Sequence, residues 1–157
     1  MLKKFVSAIA ILFGLASLAG CAPATTHEGV VIEDAWVRSS EYSDHAGGMT
    51  GIFGKFTNHG DQPVTITGGE TDIAKMVQTH EVVNGMMQQK KDGIVIKPGE
   101  TVTLQPGGLH IMIMDIAKPI VAGDKITFTV KFKGAESQTL TLTAKDSAGG
   151  DETYNQK

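Results

Sequence analysis

The chain has 157 residues, with 14 Lys and Arg against 17 Asp and Glu, a formal net charge of −3 and a single cysteine, Cys21. The slightly acidic balance has no basic stripe, which argues against nucleic acid as a partner, and one cysteine excludes an internal disulfide. With 41 % hydrophobic residues the chain is long enough for one domain with a sizeable core.

Met1-Leu2-Lys3-Lys4 is basic, and Phe5 to Leu18 is largely apolar. These are the n-region and h-region of an export signal, too short and wrongly flanked for a committed membrane span. The segment ends on Leu18-Ala19-Gly20-Cys21, which looks like a bacterial lipobox. Residues 1–20 therefore read as a lipoprotein signal peptide, with Cys21 as the lipidation point; the competing reading is an ordinary secretory signal with a coincidental cysteine. Residues 21–29 read as the lipidated cysteine and its tether, 30–145 as the folded domain, and 146–157 as a polar, disordered tail. Such a chain is exported and lipid-anchored, at the outer face of the cytoplasmic membrane or in the periplasm.

From Val30 onward short β-rich runs alternate with Gly, Pro, Asn and Asp. The pattern predicts strands over 30–38, 49–57, 63–67, 76–83, 93–96, 101–104, 109–116, 125–132 and 138–144. Ile126, Phe128, Val130 and Phe132 alternate with Thr and Lys, and Leu140 and Leu142 alternate with Thr139, Thr141 and Thr143. Turn sequences separate the runs at Asn58-His59-Gly60-Asp61, Lys97-Pro98-Gly99-Glu100 and Ala122-Gly123-Asp124. The segment from Asn84 to Lys91 reads as a polar loop. No helical period stands out after the signal, and no internal repeat or second domain is visible. Many short strands at this spacing give an all-β domain, a β-sandwich or Greek-key barrel. Trp36 and Phe53 read as core residues.

The chemistry concentrates between His80 and Met114. In a strand, His110 and Met112 share one face, with an imidazole beside a thioether. The ion that favours thioether sulfur and tolerates imidazole is Cu(I). A second His-then-Met group lies upstream, His80 followed by Met86 and Met87. Plainer roles exist for each: His110 as a partner of the Pro106-Gly107-Gly108 turn, His80 as a solvated or capped side chain, and Met112 and Met114 as core packing. For Met114 core packing is the preferred reading, because it stands one strand repeat, about 6.5 Å, beyond Met112. Met86 and Met87 in a polar segment are harder to explain as core. Met49 is open between core packing and a place near the site. His27, His45 and His59 receive no role.

The run from His80-Glu81 through Met86-Met87 to Pro106-Gly107-Gly108-Leu109-His110-Ile111-Met112-Ile113-Met114 resembles the periplasmic copper chaperone family called PCuAC. Asp34-Ala35-Trp36-Val37-Arg38 and Gly123-Asp124-Lys125 also look like that family, so the resemblance spans roughly Val30 to Phe132. It implies a cupredoxin-like barrel holding one Cu(I) through His80, Met87, His110 and Met112. Met86 and Met114 are alternates. The family's usual spacing, counted back from His110, falls on Gln88. A Gln oxygen is a poor Cu(I) donor, and a one-residue insertion between Gln88 and Gly93 brings Met87 to that position. The resemblance further implies delivery of copper to a membrane-associated acceptor, a cytochrome c oxidase subunit or another copper chaperone, with no catalysis. The His- and Met-rich tail of some family members is absent.

Other functions fit less well. A blue-copper electron carrier needs a cysteine thiolate in the domain, and Cys21 is the lipid attachment point. A metal hydrolase needs carboxylates beside the histidines, and Glu81 points to the opposite strand face from His80. A Cu(II) or Zn(II) scavenger using the histidines alone, and an anchored β-sandwich without metal, remain as alternatives.

Overall fold

A computed structural model describes residues 29–40, 47–146 and 153–154. The expected signal peptide, Cys21, most of the tether, His27 and His45 lie outside the described residues.

Eleven strands follow in chain order: β1 (Val30–Arg38), β2 (Gly48–Asn58), β3 (Val64–Glu70), β4 (Ala74–Val83), β5 (Met86–Gln89), β6 (Ile94–Ile96), β7 (Thr101–Leu104), β8 (His110–Ile116), β9 (Lys125–Lys133), β10 (Gln138–Lys145) and β11 (Thr153–Tyr154). The described residues contain no helix, as the all-β reading expects. The hydrogen-bonded order is β11-β5-β4-β8-β2-β1-β10-β9-β3-β6, with β7 also pairing β2. Neighbours are antiparallel except β1 with β10 and β11 with β5. β3 packs against β4 without pairing with it, so the sheet curls back on itself as an open barrel.

The alternation seen in the sequence decides which face turns inward. Ile126, Phe128 and Val130 of β9 are buried while the residues between them face outward or sit at the rim. Ile52 and Phe56 of β2, Ile66 of β3 and Ile111 and Ile113 of β8 join them in one aliphatic and aromatic core. Burying each such side chain stabilises the fold by about 1.5–3 kcal/mol. β8 is unusual in being buried on both faces, from His110 through Met114. Its inner face is Ile111 and Ile113, and its outer face is His110, Met112 and Met114.

The nine predicted strands are present with boundaries shifted by up to three residues. Two expectations need correction. The segment after Val83, expected as a polar loop, is the second arm of a hairpin. Asn84 and Gly85 both have positive φ, 53° and 75°, the backbone of a type I′ turn, which matches the twist of two antiparallel strands. β5 was hidden because its polar residues, Gln88 and Gln89, are exposed at the sheet's rim. Thr153 and Tyr154, in the segment expected as a polar tail, form β11, a two-residue parallel strand on the β5 edge. Phe53, expected in the core, is buried, whereas Trp36 is only half-buried. Phe53 is buried on the outer face of β2, with its ring centroid 4.7 Å from that of the half-buried Trp36.

Candidate metal centre

The strand register brings the predicted residues together. In the β4–β8 pair, His80 stands opposite His110, Gln78 opposite Met112 and Met76 opposite Met114. Directly opposed residues share a face. The two imidazoles therefore lie side by side, with ring centroids 5.6 Å apart, at 0 % and 2 % exposure. On the far side of His110 the Phe53 ring follows at 6.1 Å, so Trp36, Phe53, His110 and His80 form a row across four strands. Arg38 sits over Phe53, its guanidinium carbon 5.3 Å from the ring centroid.

Each histidine is held in one tautomer. The chain leaves β7 and makes a turn in which Gly108 N–H donates to the Gln105 carbonyl at 3.1 Å. This aims the Gly108 carbonyl at His110, whose Nδ1–H donates to it at 2.9 Å. The His110 lone pair is then on Nε2. His80 donates from Nε2 to the Gln78 Oε1 at 3.1 Å, which puts its lone pair on Nδ1. Burial, with a smaller contribution from the facing His110, lowers the His80 pKa from 6.5 to about 4. His80 is therefore neutral at physiological pH, the state in which imidazole binds metals.

The hairpin puts the two neighbouring methionines on opposite faces. In the β4–β5 pair Val82 faces Met87, and Val83 faces Met86. Met87 thus lies on the His80 face, and Met86 on the other, where it is 47 % exposed. Met87, Met112 and Met114 form one buried cluster, with Met49 of β2 packed against it. Met87 lies further out along the hairpin than His80 and still joins the cluster on the outer face. Gln88 lies on the other face as well, donating to Glu81 at 3.2 Å. Glu81 also pairs with Lys90 at 2.8 Å and so lies off the His80 face. Hydrogen bonding from Lys90, the largest influence, holds its pKa below the ordinary carboxylate value. Met114, read from the sequence as core, belongs to this methionine cluster and not to the main core. Of the side chains without an assigned role, His59 is exposed beyond the end of β2.

Chemically the patch offers two imidazoles, that of His80 neutral, and several thioethers, with no carboxylate among them. Among the described residues no group of three or more His, Cys, Asp and Glu is placed to hold a metal. A donor set of this kind suits a soft monovalent ion. A cleft of about 480 Å³ lined by Val30, Asn58, Gln62 and Glu136 includes none of these side chains.

A family model described as "Putative lipoprotein LpqE-like" matches residues 30–144. The chain belongs to the LpqE-like family. Its match covers β1 to β10 and therefore the whole patch. The chain is 34 % identical to "Putative lipoprotein Lxx21020" of Leifsonia xyli subsp. xyli (strain CTCB07), over 98 % of this chain and 95 % of that protein. Among solved structures, "Copper-bound PCuAC domain from PmoF2" matches with a TM-score of 0.63 at 24 % identity, covering 75 % of this chain and 93 % of that domain. "Solution structure of CuI-DR1885 from Deinococcus Radiodurans" matches with a TM-score of 0.61 at 22 % identity, covering 80 % and 86 %. The PCuAC resemblance read from the sequence is thus borne out at the level of fold, and the LpqE-like chain has the cupredoxin-like architecture of those domains.

The sequence reading missed Phe53, Gln78 and the hairpin that positions Met87. The Asn84-Gly85 pair was the available signal for the hairpin. Stepping back by two from His80 would have placed Gln78 and Met76 on the same face.

Proposed function

We propose that this protein is an extracytoplasmic copper(I) carrier that binds one Cu(I) through His80, Met87, His110 and Met112. The observation that carries this reading is the opposition of His80 and His110, 5.6 Å apart, beside buried methionines. Family membership and the fold shared with domains described as copper-bound support it. The two imidazoles are the anchors, through His80 Nδ1 and His110 Nε2. The thioethers are weaker donors that need no deprotonation, favour the reduced ion and exchange readily with an acceptor's ligands. A lipid on Cys21 would hold the carrier beside membrane-bound acceptors and raise the effective concentration for transfer. The acceptor in this reading is a membrane-associated protein, a cytochrome c oxidase subunit or another copper chaperone.

The test is an anaerobic Cu(I) titration of the soluble domain, without signal and Cys21, against a coloured chelator. One tight equivalent, weakened by His110→Ala, Met112→Ala and Met87→Ala, is the expected result. Failure to compete with the chelator would refute copper carriage and leave an anchored β-sandwich of other function. Binding of Cu(II) or Zn(II) that ignores both methionine changes would favour a scavenger using the histidines alone.

A further inference from the structure

Five of the six methionines after Met1 share the outer face of β2, β4, β5 and β8. The main core on the inner face of the same strands contains no methionine. Packing alone does not ask for this segregation, since aliphatic side chains fill the inner face and would fill the outer one equally well. Two of the five belong to the copper centre proposed above. The other three, Met49, Met76 and Met114, form a row of their own. Met114 of β8 has Met49 as its register partner on β2 and Met76 as its partner on β4. With strands spaced about 4.8 Å apart, Met49 and Met76 flank Met114 at distances their side chains can span.

The row runs from inside to outside. Met114 is 8 % exposed and packs with Met112 and Met87, whereas Met76 is 43 % exposed. The Met76 sulfur accepts a hydrogen bond from Gln78 Nε2 at 3.1 Å, which holds it on this face. A thioether has a second lone pair, which this bond leaves for a metal. His80 and His110 are 0 % and 2 % exposed, so an ion bound there needs intermediate ligands on its way to and from solvent.

We propose that Met49, Met76 and Met114 form a second, thioether-only Cu(I) site, a station between solvent and the His80–His110 centre. The proposal deepens the carrier reading and rests on it for the direction of transfer. The ion stays monovalent throughout. Sulfur ligands replace one another around it, and no proton or electron changes hands. The site selects Cu(I) and its redox-inert analogue Ag(I) over Cu(II) and Zn(II), which prefer nitrogen and oxygen donors.

The experiment uses the full chain in mild detergent, labelled with ¹³C at the methionine methyl groups and titrated with Ag(I), then with Cu(I) under anaerobic conditions. The first equivalent is expected to shift Met87 and Met112. The second is expected to shift Met49, Met76 and Met114 together while Met86, on the opposite face, stays in place. Met76→Leu keeps the volume and changes a partly exposed position. It is expected to abolish the second set of shifts and to slow release of the first Cu(I) to excess chelator about fivefold, a kinetic effect with the affinity of the centre retained. Silence of the three methyls through two equivalents, a shift of Met49 and Met114 with the second equivalent in Met76→Leu, or an unchanged release rate in that variant would each overturn the station. If Met87 and Met112 stay silent while the row responds, the centre fails and the thioether site stands. The reverse pattern fails the site and keeps the centre.

Discussion

Burying a neutral histidine couples the stability of this domain to pH, and the size of the coupling follows from His80. Its pKa is 6.5 when unfolded and about 4 in the fold. Between these values the unfolded chain binds a proton that the folded chain refuses, so the unfolded state gains. The contribution is fully present above pH 6.5, declines as pH falls, and is lost once pH passes through about 4. At 1.36 kcal/mol per unit, the loss is about 2 kcal/mol by about pH 5 and about 3 kcal/mol by about pH 4. That is a large share of the roughly 5–15 kcal/mol that holds a domain together. The assay is urea unfolding of the copper-free protein along this range, beside His80→Gln, which cannot titrate. The wild-type curve should fall away from the variant's between pH 6.5 and 4, after subtraction of their difference at neutral pH. Parallel curves would refute the argument, because they would mean that His80 gains its proton in the fold as readily as in the unfolded chain.

Other outcomes follow from the same geometry. Met112→Leu and Met87→Leu keep volume and should cost under about 1.5 kcal/mol of stability, while Cu(I) affinity falls about tenfold or more; Met86→Leu should change neither, measured by thermal unfolding and chelator competition. Gly85→Val places a β-branched residue at φ 75° in the Asn84–Gly85 turn. It should cost about 1–3 kcal/mol, speed amide exchange in β5 and weaken Cu(I) binding although no proposed ligand is changed; retained affinity with a loosened hairpin would dissociate Met87 from the site. Gly51 has the Phe53 ring lying over it, and a Cβ there would meet Phe53 Cζ at 2.6 Å. Gly51→Ala should therefore move Phe53 away from Trp36 and His110, shift the Trp36 emission and cost about 1–3 kcal/mol; an unaltered spectrum would show that the ring has room to yield.

Much of this was legible in the sequence because period-two alternation is a local property. β9 and β10 could be read directly, since one face of each meets the core and the other meets solvent. β8 gave His110 and Met112 on one face by the same rule. β5 was not legible by alternation. It is four residues long, at the rim of the sheet, and buries only Met87, so its hydrophobic pattern is too short to register. Phe53 was rightly read as buried, but its face was not legible: an aromatic residue in a strand reads as core whichever face it takes, and only the partner strands show which face is filled.

The sequence by itself determined the β character, the turns and the coupling of His110 to Met112, because each depends on residues a few positions apart. It also determined the inventory of soft donors. Tertiary structure alone decided that His80 meets His110, since their opposition depends on the β4–β8 register across thirty residues of chain. It also separated Met87 from Met86 in space. Adjacent residues in a strand take opposite faces, so a single-residue choice of register puts one sulfur in the methionine cluster and leaves the other in solvent.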